Sequence, residues 1–112
     1  MKIYHNPRCS KSRQTLALIR EKGIEPEIIE YLKYPPSQEE LTRILDMLGI
    51  TPHELLRKGE DIYKKEYKTL NLSNAEWIKV MTENPKLIER PIVVKNNSAI
   101  IGRPPENVLK LI

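Results

Sequence analysis

The sequence predicts an α/β domain with a mixed sheet built in two halves, βαβ at the N-terminal end and ββα at the C-terminal end, separated by a helical insertion. Three observations carry this reading. Runs rich in β-forming residues occur at 2–5, 27–31, 91–95 and 98–101. A stretch of helical periodicity lies between the first two runs, and three S/T-x-x-E capping signatures crowd the middle of the chain. The 112 residues, 39% hydrophobic and 30% charged, are enough for one domain, 1–112, that buries a core without a metal or disulfide staple.

Lys2–His5 (KIYH) reads as a short strand that stops at Asn6-Pro7. From Ser10, the apolar stripe Thr15, Leu16, Leu18 and Ile19 has helical spacing, and Gly23 supplies the stop. Residues 27–31 (EIIEY) form the second strand, parallel to the first by the usual crossover. After Pro35-Pro36, a capping box at Ser37–Glu40 opens a helix with Leu41, Ile44, Leu45 and Leu48 on its apolar face, ended by Gly49. Thr51-Pro52-His53-Glu54 starts a short helix carrying Leu55, Leu56 and Arg57. Ser73–Glu76 starts another, through Trp77, Val80 and Met81, which should fail before Asn84-Pro85. Residues 91–95 and 98–101 make an antiparallel pair across Asn96-Asn97. Pro104-Pro105 then leads into a last helix with Val108, Leu109 and Ile112 turned inward. The order βαβ, helices, ββα is that of a thioredoxin-like layer.

No apolar run approaches the roughly 20 residues that span a bilayer, and MKIYHN lacks the apolar core of a signal peptide, so a cytoplasmic protein without a membrane partner is expected. The net charge of +4 favours anionic partners, but the basic residues are scattered. The densest group, Lys64, Lys65 and Lys68, is interleaved with Glu66 and follows Glu60 and Asp61, which marks a solvated face and argues against nucleic acid. No metal site is expected. Cys9 is the only cysteine, so any redox chemistry must take its second sulfur from another molecule.

Cys9 falls where the first strand gives way to the first helix. Unpaired N–H groups and aligned peptide dipoles at a helix start stabilise an anion, and a thiolate is one. A buried inert thiol is the alternative, but the neighbours Arg8, Ser10 and Lys11 are polar and favour a reactive cysteine. Arg13 stands one helical turn beyond and can fall on the same face. His5 ends the strand, where it either braces the loop or tunes the thiol. Ser12 takes the second position of a C-x-x-C pair, either facing solvent or touching a thiolate or bound oxyanion through its hydroxyl. Arg57, Arg90 and Arg103 each stand at the edge of a predicted element and offer forks suited to an oxyanion, and Arg90-Pro91 is a candidate cis bond.

With HNPRCSKSR, LLRK, RPIVV and GRPP in this order, the sequence resembles short members of the glutaredoxin-coupled arsenate reductase family over essentially its whole length. The resemblance implies a thioredoxin-like fold and a catalytic Cys9 in one motif with His5 and Arg13. It also implies an oxyanion-binding cluster of Arg57, Arg90 and Arg103, with Ser12 beside it. It further implies reduction of arsenate to arsenite with no bound cofactor, glutathione as co-substrate and glutaredoxin as partner; a monomer is expected. A related branch of regulators binds RNA polymerase and carries C-x-x-C. Ser12 argues against that branch, while a non-catalytic module binding a protein partner is the alternative. A phosphatase-like reading is weak, because Arg13 follows the cysteine too closely for a phosphate-cradling loop.

Overall fold

Residues 1–112 are described by a computed structural model, in which the chain forms two compact units, Met1–Tyr34 with Arg90–Ile112 and, inserted between them in sequence, Pro35–Glu89. The first unit holds the sheet. Its elements are β1 (Lys2–Tyr4), α1 (Ser10–Glu21), β2 (Glu27–Ile29), β3 (Ile92–Lys95), β4 (Ser98–Ile101) and a 3₁₀ helix (Pro105–Lys110).

The strand order is β2-β1-β3-β4. β1 runs parallel to β2, with Ile3 opposite Ile28, and antiparallel to β3, with Ile3 opposite Val93. β3 and β4 form the expected hairpin, and Asn96 takes the positive φ of 55° that its turn demands. Because β1 and β3 lie at the centre, Ile3 and Val93 are fully buried, and Leu16 and Ile19 of α1 close over them with Val108. This is the mixed α/β, thioredoxin-like arrangement of the sequence reading. No helix is long and apolar enough to cross a membrane, and no three His, Cys, Asp or Glu side chains form a group that could hold a metal ion.

The last helix departs from expectation. It is 3₁₀ from Pro105 to Lys110, and its three-residue repeat aligns Pro105, Val108 and Leu111. Pro105 and Val108 are buried and Leu111 packs against the core, whereas Leu109 is 42% and Ile112 36% exposed. An inward face of Val108, Leu109 and Ile112 belongs to a 3.6-residue period that this segment does not adopt.

In the second unit, Ser37 caps α2 (Gln38–Leu48) by accepting from the Glu40 N–H, and Gly49 ends it in the left-handed conformation at φ 70°. Thr51 and Ser73 form complete capping boxes with Glu54 and Glu76, opening α3 (Pro52–Leu55) and α4 (Asn74–Glu83). Both α2 and α3 pack on α4. The short helix stops at Leu55: Leu56 turns extended and bridges Ile88, and the Arg57 N–H donates to the Leu87 carbonyl at 2.8 Å. Sequence reasoning missed a π turn at Tyr63–Tyr67, closed by the Lys68 N–H on the Tyr63 carbonyl, which sets both tyrosine rings about the buried Trp77.

Candidate active site

β1 pairs its backbone as far as His5, whose N–H donates to the Ile29 carbonyl at 2.8 Å. The chain then turns tightly. The Asn6 carbonyl accepts from the Cys9 N–H, and its side-chain oxygen accepts from the Arg8 N–H, both at 3.0 Å. Asn6 is thus a turn-former of the Asx type, legible in the Asn-Pro pair although its side-chain role was not. The turn leaves Cys9 as the N-cap of α1, in extended geometry at φ −95° and ψ 122°, with its carbonyl accepting the first helical bond from Arg13.

The thiol is partly exposed. Burial alone pushes it up, but the Ser12 N–H, the hydrogen bond and charge of Arg90, and the Lys11 N–H outweigh burial and hold it below the ordinary thiol value. Helix-start amides and a guanidinium thus converge on one sulfur. Arg103 joins them from the far strand of the β3–β4 hairpin, just past β4 at the same open end as Arg90. Its Nη1 lies 3.9 Å from Cys9 Sγ and donates to the Arg90 carbonyl at 3.3 Å. The Arg90-Pro91 bond is cis, as the sequence suggested, and so is Arg103-Pro104, which it did not.

His5 and Ser12 face inward. Ser12 is fully buried, so the solvent-facing alternative is overturned: its hydroxyl lies 2.6 Å from His5 Nδ1 and accepts from the Asn6 N–H at 3.0 Å. The hydroxyl therefore ties strand end to helix start, and it is the Ser12 backbone N–H that addresses the sulfur. Arg13 also departs from expectation. Its guanidinium donates to the Pro7 carbonyl at 2.9 Å and braces the turn, as a helical side chain leaning toward the N-terminus can.

Burial pushes the His5 imidazole below its ordinary value; Glu30 pulls it back, and Arg20 and Arg13 add to the downward shift. A histidine depressed in the folded state binds its proton more readily when unfolded. Its stabilising contribution is complete above about pH 6.5 and is lost as pH falls through the lower folded value. Urea denaturation is expected to show stability declining below about pH 6.5, with a flatter profile there in His5→Gln.

Arg57 belongs to the helical unit, where it donates to Glu89 at 2.7 Å and pairs with Glu60 at 3.5 Å. In the sheet unit, Cys9, Arg90 and Arg103 meet directly, with His5 and Ser12 behind the turn. Two further participants escaped the sequence reading. Thr15 reads only as part of an apolar stripe and Gly102 only as the first residue of GRPP, yet the two touch, with Gly102 next to Arg103 in the chain. A glycine at the end of a strand is the available signal for such close backbone approach.

A family model described as the ArsC family matches residues 4–111. An arsenate reductase of Haemophilus influenzae is 48% identical, over 98% of this chain and 97% of its own. An uncharacterized protein of Escherichia coli, YfgD, is 51% identical, over 100% and 96%. The solved structure of an arsenate reductase from Vibrio cholerae superposes with a TM-score of 0.94 at 48% identity, covering 100% of this chain and 98% of that one.

Proposed function

The chain belongs to the ArsC family, and from that premise we propose that it reduces arsenate to arsenite, with Cys9 as nucleophile and glutathione and glutaredoxin as the electron source. The observation that carries the reading is the thiol held below its ordinary value under Arg90 and beside Arg103, at a helix start. Arsenate is a tetrahedral oxyanion. Two guanidinium groups and the helix-start N–H groups of α1 suit its charge, and they can balance the charge that builds up as sulfur attacks.

The Cys9 thiolate displaces one arsenic-bound oxygen, which leaves as water after protonation, forming a sulfur–arsenic(V) bond. Glutathione displaces a second oxygen in the same way. A glutaredoxin thiol then attacks the glutathione sulfur: a disulfide forms, the electron pair of the broken sulfur–arsenic bond stays on arsenic, and arsenic(V) becomes arsenic(III). Hydrolysis frees arsenite and the Cys9 thiol, and a further glutathione resolves the mixed disulfide. The outside sulfurs are required because Cys9 is the only cysteine in the chain. The resemblance groups Arg57 with the oxyanion-binding arginines, while its guanidinium is engaged by Glu60 and Glu89.

The test follows alkylation of Cys9 against pH, with and without arsenate, phosphate or sulfate, alongside arsenite formation in the presence of glutathione and glutaredoxin. Alkylation should titrate below the range of a free thiol and be slowed by arsenate, and arsenite should accumulate. A free-thiol profile with no protection by any oxyanion would favour a non-catalytic module and sink the enzymatic reading.

A further inference from the structure

We propose that Thr15 and Gly102 are positioning residues that set the gap between the Cys9 thiol and the guanidinium groups of Arg90 and Arg103. The proposal rests on reading those three groups as one anion site, and it concerns residues that touch neither the sulfur nor a bound oxyanion.

Thr15 is fully buried on α1, one turn past Lys11, whose carbonyl accepts from its hydroxyl at 2.8 Å. Across the unit the Gly102 carbonyl lies 3.3 Å from the same oxygen, a contact spanning 87 positions in sequence. A hydroxyl has one hydrogen, so Thr15 shares it between its own helix and the segment after β4. The Gly102 N–H in turn donates to the Pro91 carbonyl at 2.9 Å. Gly102 is therefore bonded to α1 on one side and to the residue preceding β3 on the other.

Its lack of a side chain is what allows this approach. A Cβ at Gly102 would stand 2.6 Å from Thr15 Oγ1, 2.9 Å from Thr15 Cγ2 and 2.9 Å from Pro91 Cγ. Carbon cannot sit at those distances. Thr15 is tied to the Lys11 carbonyl and has no solvent to turn into, so the backbone must give way. Arg90 is bonded to Pro91 and Arg103 to Gly102, and Arg103 also holds the Arg90 carbonyl. A displacement at Gly102 therefore reaches Arg103 through one peptide unit, and Arg90 through the Gly102–Pro91 hydrogen bond and one peptide unit, while Cys9 stays with the helix. The close packing of Gly102 on Thr15 is thus the spacer between thiol and cations.

The experiment compares the pH dependence of Cys9 alkylation by iodoacetamide, and its inhibition by arsenate, in the wild type, Gly102→Ala and the double variant Thr15→Ala with Gly102→Ala. Gly102→Ala should move the alkylation midpoint upward, slow alkylation at neutral pH by about three- to tenfold, and weaken arsenate protection similarly. The double variant removes both threonine atoms that oppose the new methyl group, and it should recover most of the wild-type profile. A purely structural role would lower Tm without moving the midpoint. A folded Gly102→Ala with the wild-type midpoint, or a double variant no better than the single one, overturns the proposal. Should Gly102→Ala fail to fold, Thr15→Val puts a methyl group where the hydroxyl now lies 3.3 Å from the Gly102 carbonyl and so presses the same segment away; its midpoint should also rise, and an unchanged profile overturns the proposal. The midpoint is read without arsenate or glutathione, so it tests the spacer even if the wild type forms no arsenite.

Discussion

Replacing Cys9 by serine is expected to cut arsenite formation by at least about a thousandfold, while leaving the fold as stable as before or more so. The first effect follows from the nucleophile. A serine hydroxyl is not ionised near neutral pH, and the groups that hold the Cys9 thiol down, the Ser12 and Lys11 N–H groups and Arg90, cannot close so large a gap. The second follows from the position. Cys9 is the N-cap of α1, and serine is among the preferred capping residues, with an oxygen suited to the N–H groups that the sulfur now faces. Activity and stability should therefore separate: a steady-state assay shows the loss, and urea denaturation shows a midpoint no lower than that of the wild type. Turnover that survives the substitution would exclude Cys9 as the nucleophile.

The second large effect belongs to the arginines. Arg103→Ala and Arg90→Ala should each lower kcat/KM for arsenate by about two to three orders of magnitude, the usual cost of losing one donor to a charge that develops in the transition state. The two should differ in how they fail. Arg90 bonds the sulfur and stabilises its charge, so its loss should raise the pH at which Cys9 is alkylated as well as weaken arsenate binding. Arg103 reaches the sulfur only at 3.9 Å and also holds the Arg90 carbonyl, so its loss should fall more heavily on arsenate protection. Arg103→Lys should restore little, because an ammonium cannot reproduce the planar fork. Rates within about twofold of the wild type for both alanine variants would remove the arginines from the reaction.

The local signals in this chain were strong where a side chain bonds its own backbone. Ser37, Thr51 and Ser73 announce three helices because each accepts from an N–H three residues on, and the structure holds all three bonds. Asn96 and Gly49 likewise stand where positive φ is needed. The placement of Cys9 at a helix start was legible for the same reason, from Asn6-Pro7 before it and the apolar stripe after it. Directions were harder to read. Ser12 and Arg13 are neighbours on one helical turn, yet Ser12 is drawn inward by His5 and Arg13 to the Pro7 carbonyl, and both partners are fixed by how the turn folds back. The last helix misled because Leu109 and Ile112 fit an α period, whereas the segment winds as 3₁₀ and buries Val108 with Pro105 instead. Gly102 at a strand end signals a close approach, but nothing local names Thr15 as its partner, since the contact exists only once α1 and the β3–β4 hairpin are packed together.

The strand order β2-β1-β3-β4 also bears on how the molecule is made. β1 takes one neighbour from the segment just after it and the other only from residues 92–95, beyond the whole helical insertion. On the ribosome, β1, α1 and β2 emerge early and can assemble around Cys9, but Arg90 and Arg103 are translated only after the helical insertion. Until then the nascent thiol has its helix start and no guanidinium beside it. The part of the thiol's downward shift that Arg90 supplies thus waits for the segment after the helical insertion to dock.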